Sequence, residues 1–280
     1  MSESLIRCEN LTHIYDGEVV AVDDVSLDIK GGELIGVIGQ NGSGKTTLVK
    51  HFNGLLKPTK GKVFVKGKDT AKMRVQELSR SVGYVFQNPN HQLFAKTVHE
   101  ELEFGPTNLG LEPEEVEDRV NKAFEFFNLE KYRDSHPYRI SFPLRKLVGM
   151  ASIYTMRPDV FILDEPTTGQ DHITTRIVYN LIERLREEGS TVICVAHDMI
   201  LLAEVVERML VMRDSLLIAD TDPKTVFSDK ELMASTHLTP PQITELSYRM
   251  RDNKQIKNLA LSVNEMITEV GKHYPLKRSK

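Results

Sequence analysis

A glycine-rich stretch of eight residues, GQNGSGKT, most narrows the folds open to this chain. It runs from Gly39 to Thr46, directly after the apolar run LIGVIG and before a helical pattern. It matches the pattern G-x-x-x-x-G-K-[ST] of the P-loop, which requires a strand before it and a helix after it. Glycines let backbone N–H groups curl around phosphates, and the helix N-terminus adds a positive dipole. The stretch therefore predicts a site for ATP.

Each residue of this loop has an expected part in binding the nucleotide. The Lys45 ammonium is expected to reach the β- and γ-phosphates, and the Thr46 hydroxyl to ligate Mg²⁺. ATP and Mg²⁺ are the two cofactors that the motif predicts. The predicted nucleotide-binding residues of the loop are Gly39, Gln40, Asn41, Gly42, Ser43, Gly44, Lys45, Thr46 and Thr47.

A second motif, VFILDEP, places two acidic residues at the end of an apolar run. Asp164 is expected to hold Mg²⁺, usually through water. Glu165 would then lie beside the γ-phosphate, where it can orient or activate the attacking water. Acidic pairs also end strands for purely structural reasons, and the P-loop favours the catalytic interpretation here.

Continuous apolar runs predict strands that are buried on both faces, as in a parallel sheet covered by helices. Helical stretches are expected at 45–56, 172–188 and 198–206, so the fold class is α/β with a doubly wound core. An antiparallel sheet is expected from residues 6–29, and a helical insertion from about 97 to 156. The predicted buried strands are 34–39, 82–86, 160–164, 191–197 and 208–213.

Composition excludes some functions. The 280 residues carry a formal charge of −4, so nothing indicates a nucleic-acid partner. The sequence has no apolar run of 18 or more residues, so we expect it to work at a membrane only through a partner. The two cysteines, Cys8 and Cys194, stand in apolar stretches and are expected to be reduced and buried.

With these motifs, the chain resembles the nucleotide-binding subunit of an ABC transporter from residue 5 to about 220. The resemblance implies that Gln87 contacts Mg²⁺ and the attacking water and senses a membrane partner. It also implies that His197 contacts the γ-phosphate, that Asp171 lies at a dimer interface and that Tyr15 stacks on adenine. Taken alone, His197 would be interpreted as a surface or packing histidine, and Tyr15 as a tyrosine at a strand end.

A closer resemblance is to the ATPases of energy-coupling factor transporters, carried by residues 86–111 and by the C-terminal DPKTVFSDKELM and LTPPQITEL. It implies a peripheral protein at the cytoplasmic face of the cell membrane that powers uptake of a vitamin or metal ion. The implied partners are a second ATPase subunit, an integral membrane scaffold and a substrate-binding membrane subunit. The expected fold is a P-loop NTPase with a RecA-like, mostly parallel sheet, an ABC ATPase domain over 1–225 and a small helical extension over 226–280.

One loop departs from this family. The signature Leu-Ser-Gly-Gly-Gln falls on the segment from Ile140 to Leu144, where Ser141 is kept as a ligand for the γ-phosphate of a partner's ATP. Phe142 adds bulk, Pro143 lacks an N–H donor and Leu144 lacks the polar contacts of glutamine. We therefore hypothesise one half of an asymmetric heterodimer. There are two alternatives. The loop is engineered or damaged, or it rearranges and works in a homodimer.

Two other function classes remain open from the sequence. One is a soluble ABC ATPase of translation or DNA repair, and the other is a regulatory ABC subunit that does not hydrolyse ATP. For the transport ATPase, Gln87 and an exposed apolar pair, Leu93 and Phe94, are the expected contacts with the membrane partner. The alternative for that pair is a place in the core.

Overall fold

The computed structural model describes residues 4–273, from the start of the first strand to the end of the last helix. Its strands are β1 (Ser4–Tyr15), β2 (Val19–Lys30), β3 (Leu34–Gly39), β4 (Lys60–Val65), β5 (Lys68–Asp69), β6 (Val82–Val85), β7 (Val160–Asp164), β8 (Thr191–Val195), β9 (Arg208–Arg213) and β10 (Leu216–Thr221). Its helices are α1 (Lys45–Phe52), α2 (Val75–Leu78), α3 (Val98–Asn108), α4 (Pro113–Phe127), α5 (Phe142–Tyr154), α6 (His172–Glu187), α7 (Met199–Val205), α8 (Pro223–Ser228), α9 (Lys230–Ser235), α10 (Gln242–Asp252) and α11 (Val263–His273).

The larger sheet has six strands in the order β10-β9-β3-β8-β7-β6. The five strands from β9 to β6 pair in parallel, and β10 joins the edge antiparallel to β9. Every residue of β3, β7 and β8 is buried, which explains their continuous apolar sequences. The predicted α/β fold with a mostly parallel sheet is confirmed, and β10 is a strand that the apolar runs did not indicate.

The smaller sheet is antiparallel, in the order β2-β1-β4-β5. The turn between β1 and β2 has positive φ at Asp16 and Gly17, as a tight hairpin requires. The Glu18 N–H donates to the Tyr15 carbonyl at 3.1 Å and closes this turn. The antiparallel sheet expected near the N-terminus is confirmed, and its hairpin places Tyr15 at the end of β1.

Three helices, α3, α4 and α5, pack on one another between β6 and β7 in the chain. Helix α4 begins at Pro113 and buries one stripe of apolar side chains, which includes Val120 and Phe124. A proline at the first helical position is favourable because its missing N–H would have no partner within the helix. These helices fall within the predicted insertion at 97–156, whose limits as a separate domain stay a prediction.

The predicted division at residues 225 and 226 falls inside helix α8. Val226 and Phe227 of this helix are buried in the core that also contains β7, β8 and their covering helices. A separate small cluster around Ile256 and Met266 lies further along the chain. The division into a domain and an extension stays a prediction, and residues 1–3 and 274–280 lie outside the described part.

The burial of Phe227 yields a test of how firmly the C-terminal helices belong to the core. Replacing this fully buried side chain by alanine leaves a cavity, so Phe227→Ala should lower the free energy of unfolding by about 3–5 kcal/mol. Urea unfolding of the full chain measures the change. Ile267→Ala is the control, because Ile267 on α11 is 66% exposed and its loss should cost less than about 0.5 kcal/mol. An equal effect of the two variants would contradict the assignment of α8 to the main core.

Candidate functional site

The site lies at the carboxyl edge of the larger sheet, where β3, β8 and β7 are successive neighbours. The P-loop follows β3, Glu165 follows β7 and His197 comes two residues after β8. The three therefore meet at one cleft of about 320 Å³. The cleft is lined by Tyr15, Val19, Val20, Ala21, Asn41, Gly42, Gly44, Lys45, Thr46, Thr47, Gln87, Glu165 and His197.

The P-loop glycines are required by conformation, and two of them, Gly39 and Gly44, also by space. Gly39, Gly42 and Gly44 all have positive φ, which side chains rarely adopt. A Cβ atom on Gly44 would lie 2.1 Å from the carbonyl oxygen of Ala21, whereas one on Gly42 would point into open space. The Ser43 hydroxyl is buried and has no hydrogen-bond partner within the described residues. The loop therefore offers polar groups and room of the kind that a phosphate chain needs.

Lys45 lies at the start of α1 with its ammonium over the loop. Its Nζ donates to the carbonyls of Gly39 at 2.8 Å and of Gln40 at 2.7 Å. Burial lowers its pKa, and the Glu165 and Asp164 carboxylates oppose that shift. The cation is thus held beside the N–H groups of the loop, where negative phosphate oxygens would be stabilised.

Two hydroxyl groups donate hydrogen bonds to Asp164, which is buried at the end of β7. The Thr46 hydroxyl donates to its two carboxylate oxygens at 3.2 and 3.3 Å. The Tyr84 hydroxyl donates to Oδ2 at 2.7 Å, and burial together with the Asp164 charge raises the pKa of Tyr84. Gln87 is exposed and also lines the cleft. Carboxylate, hydroxyl and amide oxygens form the donor set that a hard divalent cation takes.

Glu165 is buried with its carboxylate directed into the cleft. Its Oε2 accepts a hydrogen bond from the Thr168 hydroxyl at 3.0 Å, and its Oε1 lies 3.5 Å from Nε2 of His197. Its φ is +51°, a left-handed conformation that costs a non-glycine residue about 1–2 kcal/mol. The Glu165 N–H donates to the Val195 carbonyl at 2.7 Å and so extends the β7–β8 pairing beyond the strand end.

Tyr15, the last residue of β1, also lines the cleft. Its hydroxyl lies 3.3 Å from that of Thr47, and its ring packs edge-on against His13. Behind it, His51 lies 3.0 Å from His13 and donates from Nδ1 to the Thr47 carbonyl at 2.7 Å. Burial lowers the pKa of His51 to about 4, so the His51 ring is neutral at pH 7. The partly exposed Tyr15 ring is therefore held in place with one face available to a flat apolar ligand.

Ser141 is the predicted site residue that the fold does not bring to this cleft. It precedes α5 as its exposed N-cap, with no hydrogen bond from its side chain to the first turn. Phe142 begins the helix, and Pro143 stands next to it. The assignment of Ser141 to a partner's ATP stays a prediction.

Comparisons with known proteins decide the family. Residues 22–168 match the model of the ABC transporter family, which is more than half of the chain. The chain belongs to the ABC transporter ATP-binding family.

The relatives give the subgroup. The chain is 40% identical, over 94% of its length and 97% of that protein, to the energy-coupling factor transporter ATP-binding protein EcfA1 of Caldanaerobacter subterraneus subsp. tengcongensis. It is also 41% identical, over 94% of its own length, to an ABC transporter ATP-binding protein of the same organism. The chain spans 45% of the length of that relative. Its fold matches cbiO1 from Clostridium perfringens, part of the ABC transporter complex cbiONQ, with a TM-score of 0.73 and 33% identity over 88% of this chain and 99% of that one.

These matches confirm an ABC ATPase of the energy-coupling factor subgroup. The chain is an enzyme of the class in which ATP hydrolysis is coupled to transport. A helix that crosses a bilayer needs a long apolar run, and none of the helices between residues 4 and 273 has one.

Two buried side chains of the ATPase site were missed from the sequence. Tyr84 positions Asp164, as described above. Lys146 on α5 donates from Nζ to the carbonyls of Glu165 at 2.5 Å and of Thr168 at 2.9 Å. Burial lowers its pKa to about 8, while the nearby carboxylates raise it. One signal in the sequence indicates that Lys146 is buried. It stands four residues after Phe142 and four before Met150, on a helical stripe that is otherwise apolar.

The expected exposed pair of Leu93 and Phe94 is wrong for Leu93, which is buried in the core. The carboxylate of Glu101 accepts the N–H groups of Phe94 at 2.9 Å and of Ala95 at 2.8 Å. This anchors the loop so that Leu93 turns inward and Phe94 outward. The exposed partner of Phe94 is Phe104 on α3, with ring centroids 4.7 Å apart.

The contact between Tyr84 and Asp164 predicts a measurable effect on the divalent cation. Tyr84→Phe removes the donor that orients the Asp164 carboxylate, so the Mg²⁺ concentration for half-maximal binding of a fluorescent ATP analogue should rise about tenfold or more. Titration of the purified chain with Mg²⁺ measures this. Tyr248→Phe is the matched control, because the buried Tyr248 hydroxyl has no partner within the described residues. Equal Mg²⁺ dependence in the two variants would show that Tyr84 has no such part.

Proposed function

We propose that this chain is the ATP-binding and hydrolysing subunit of an energy-coupling factor type importer for a vitamin or a metal ion. It would act at the cytoplasmic face of the cell membrane with a second ATPase subunit, an integral membrane scaffold and a substrate-binding membrane subunit. The observation that carries the proposal is the Glu165 carboxylate, held by Thr168 and His197 beside a complete P-loop. The names of the relatives support the type of transporter.

In the proposed mechanism, the P-loop N–H groups and Lys45 bind the phosphates of ATP, and Tyr15 stacks on the adenine. Thr46, Asp164 and Gln87 would hold Mg²⁺, whose charge offsets that of the phosphate oxygens. Glu165 accepts a hydrogen bond from the attacking water and directs it at the γ-phosphate. His197, 3.5 Å from Glu165, would bridge that carboxylate and the γ-phosphate.

The first turn of α5 supports the proposed asymmetry. Helix N-termini bind anions through free N–H groups, and Pro143 removes one of them. Phe142 adds a ring that is 38% exposed where the family has a glycine. One donor lost to a charged oxygen costs about 1.5–3 kcal/mol, or roughly 10- to 100-fold in rate. The chain would thus hydrolyse ATP at its own P-loop and contribute poorly to a partner's.

A groove beside the site fits the membrane scaffold. It has a volume of about 560 Å³ and runs between α2 and α3, with the aromatic rings of Phe94 and Phe104 on its wall. Gln92 lies at the groove and accepts the N–H of Phe86 at 3.3 Å, next to Gln87, while donating to the Gly149 carbonyl of α5 at 2.7 Å. A helix of the scaffold that presses on this groove would therefore act on both Gln87 and α5.

The asymmetry predicts how the chain assembles by itself. Glu165→Gln should bind ATP without hydrolysing it, which would trap any ATP-closed dimer. Because the loop from Phe142 to Leu144 lacks the glycines, the variant should remain a monomer with Mg-ATP when light scattering measures its mass. An ATP-dependent dimer of the variant would show instead that the loop still closes over nucleotide, as in the homodimer alternative.

A second copy of the chain can supply the missing signature. The copy carries Phe142→Gly, Pro143→Gly, Leu144→Gln and Glu165→Gln, so that it offers an intact loop but has no active site of its own. Mixed with the unaltered chain, it should raise ATP hydrolysis at least about tenfold over either chain alone. A mixture that binds ATP and dimerises but does not hydrolyse would favour the regulatory, non-hydrolysing subunit.

The groove predicts a defect in membrane assembly alone. Phe94→Ala/Phe104→Ala should greatly reduce the amount of chain that sediments with membranes when it is expressed with its membrane subunits. ATP binding should be unchanged, because neither ring lines the nucleotide cleft. Leu216→Ala, which shortens an exposed apolar side chain on β10, is the control. Unaltered sedimentation of the double variant would contradict this docking surface and favour a soluble ABC ATPase.

A further inference from the structure

Lys146 is a buried cation in a helix whose neighbouring residues, Leu147 to Ala151, are also buried. Its side chain is 1% exposed, although a lysine is costly to remove from water. Its ammonium contacts no carboxylate directly within the described residues and instead donates to two backbone carbonyls, those of Glu165 and Thr168. Packing alone would be served better by an apolar side chain, so these two contacts require an explanation.

The first of these carbonyls belongs to Glu165, whose backbone is strained. Glu165 is left-handed, and both of its backbone polar groups are bound: the N–H to Val195 of β8 and the carbonyl to Lys146 of α5. These two bonds, one from β8 and one from α5, hold the strained backbone of the residue whose carboxylate lies 3.5 Å from His197. Without the ammonium, the carbonyl would retain, among residues 4–273, only the long contact from the Thr168 N–H at 3.4 Å.

The same face of α5 touches the loop after Glu165 in two further places. Phe142 packs against Gly169, because a Cβ atom built on this glycine would lie 3.1 Å from the Phe142 ring. Gln170 donates from Nε2 to the carbonyl of Pro143 at 3.3 Å. Since Phe142 and Lys146 are four residues apart, they lie on one side of the helix. Phe142, Pro143 and Lys146 thereby join the start of α5 to residues 165–170.

We propose that Lys146 is a positioning residue for ATP hydrolysis, which holds the backbone of Glu165 in its left-handed conformation and ties the catalytic carboxylate to helix α5. This rests on the proposed function, in which Glu165 activates water. A displacement at the N-terminus of α5, where the partner's nucleotide is proposed to bind, would reach Glu165 through this ammonium. Lys146 thus links the two ATP sites through one side chain.

The test uses the mixture of this chain with the copy that carries the restored loop and Glu165→Gln. Lys146→Met keeps the length and most of the volume of the side chain but removes every donor. In the chain with the unaltered loop, it should lower kcat about 10- to 100-fold, since a small misplacement of a catalytic group has that effect, while KM for ATP changes less than about threefold. Lys146→Arg, which keeps donors, should recover a substantial part of kcat.

Lys57→Met is the matched control, because Lys57 likewise donates from Nζ to two backbone carbonyls, those of Thr70 and Met73, outside the nucleotide cleft. It should leave kcat within about twofold of the unaltered chain. Thermal unfolding of each variant separates loss of fold from loss of position. If Lys146→Met keeps full kcat, or if kcat falls only in parallel with ATP affinity and thermal stability, the proposal is wrong.

A second readout requires no partner. In the full chain with Lys146→Met, amide hydrogen exchange of residues 165–170 should be at least about tenfold faster than in the unaltered chain, because the loop has lost its anchor. Unchanged exchange there would overturn the proposal even if the mixture proved inactive. Glu165→Gln in the natural-loop chain tests the premise separately: if it still hydrolyses ATP at the normal rate, the proposed function fails, whatever Lys146 does.

Discussion

The parallel pairing of β3, β8 and β7 is the constraint on which the rest of this structure depends. Each strand leads at its carboxyl end into one part of the site, and β8 lies between the other two. Residues are paired one to one, so Asp164 lies opposite Val195 and the P-loop starts at the same edge. A shift by one residue would turn every side chain to the other face of the sheet. The observed register places the carboxyl ends of the three strands, and with them the parts of the site, at one edge of the sheet.

The site carries charges that are unfavourable in a protein interior, and each of them has partners. Asp164 accepts from Thr46 and Tyr84, and Lys45 and Lys146 donate to backbone carbonyls. A buried polar group without a partner costs about 1–3 kcal/mol, so these contacts are needed for folding as well as for catalysis. The left-handed Glu165 is strained, and strain of this kind persists only where the surroundings hold it. Here the surroundings are β8 on one side and α5 on the other.

The unusual loop from Phe142 to Leu144 acquires a second meaning in the fold. Compared with the family's signature, it lacks the glycines and one N–H donor. Within its own chain, however, Phe142 and Pro143 pack against Gly169 and Gln170, next to the anchor made by Lys146. The residues that depart from the family pattern are therefore also residues that attach α5 to the loop after Glu165. This attachment accords with the proposed asymmetric subunit, in which one ATP site hydrolyses and the other signals.

Much of the fold could be predicted because its signals are local. The P-loop, the acidic pair at the end of β7 and the histidine after β8 each combine a strand with the residues at its carboxyl end. The sequence alone therefore determined the ATP site and the α/β core. It did not indicate β10, and it placed Leu93 on the surface. Leu93 is buried beside a loop that Glu101, on a later helix, holds by two hydrogen bonds. Tyr84 and Lys146 were missed because their partners, Asp164 and Glu165, come from other elements. Only the tertiary structure decided these contacts, since a hydrogen bond between distant residues leaves no periodic pattern along the chain.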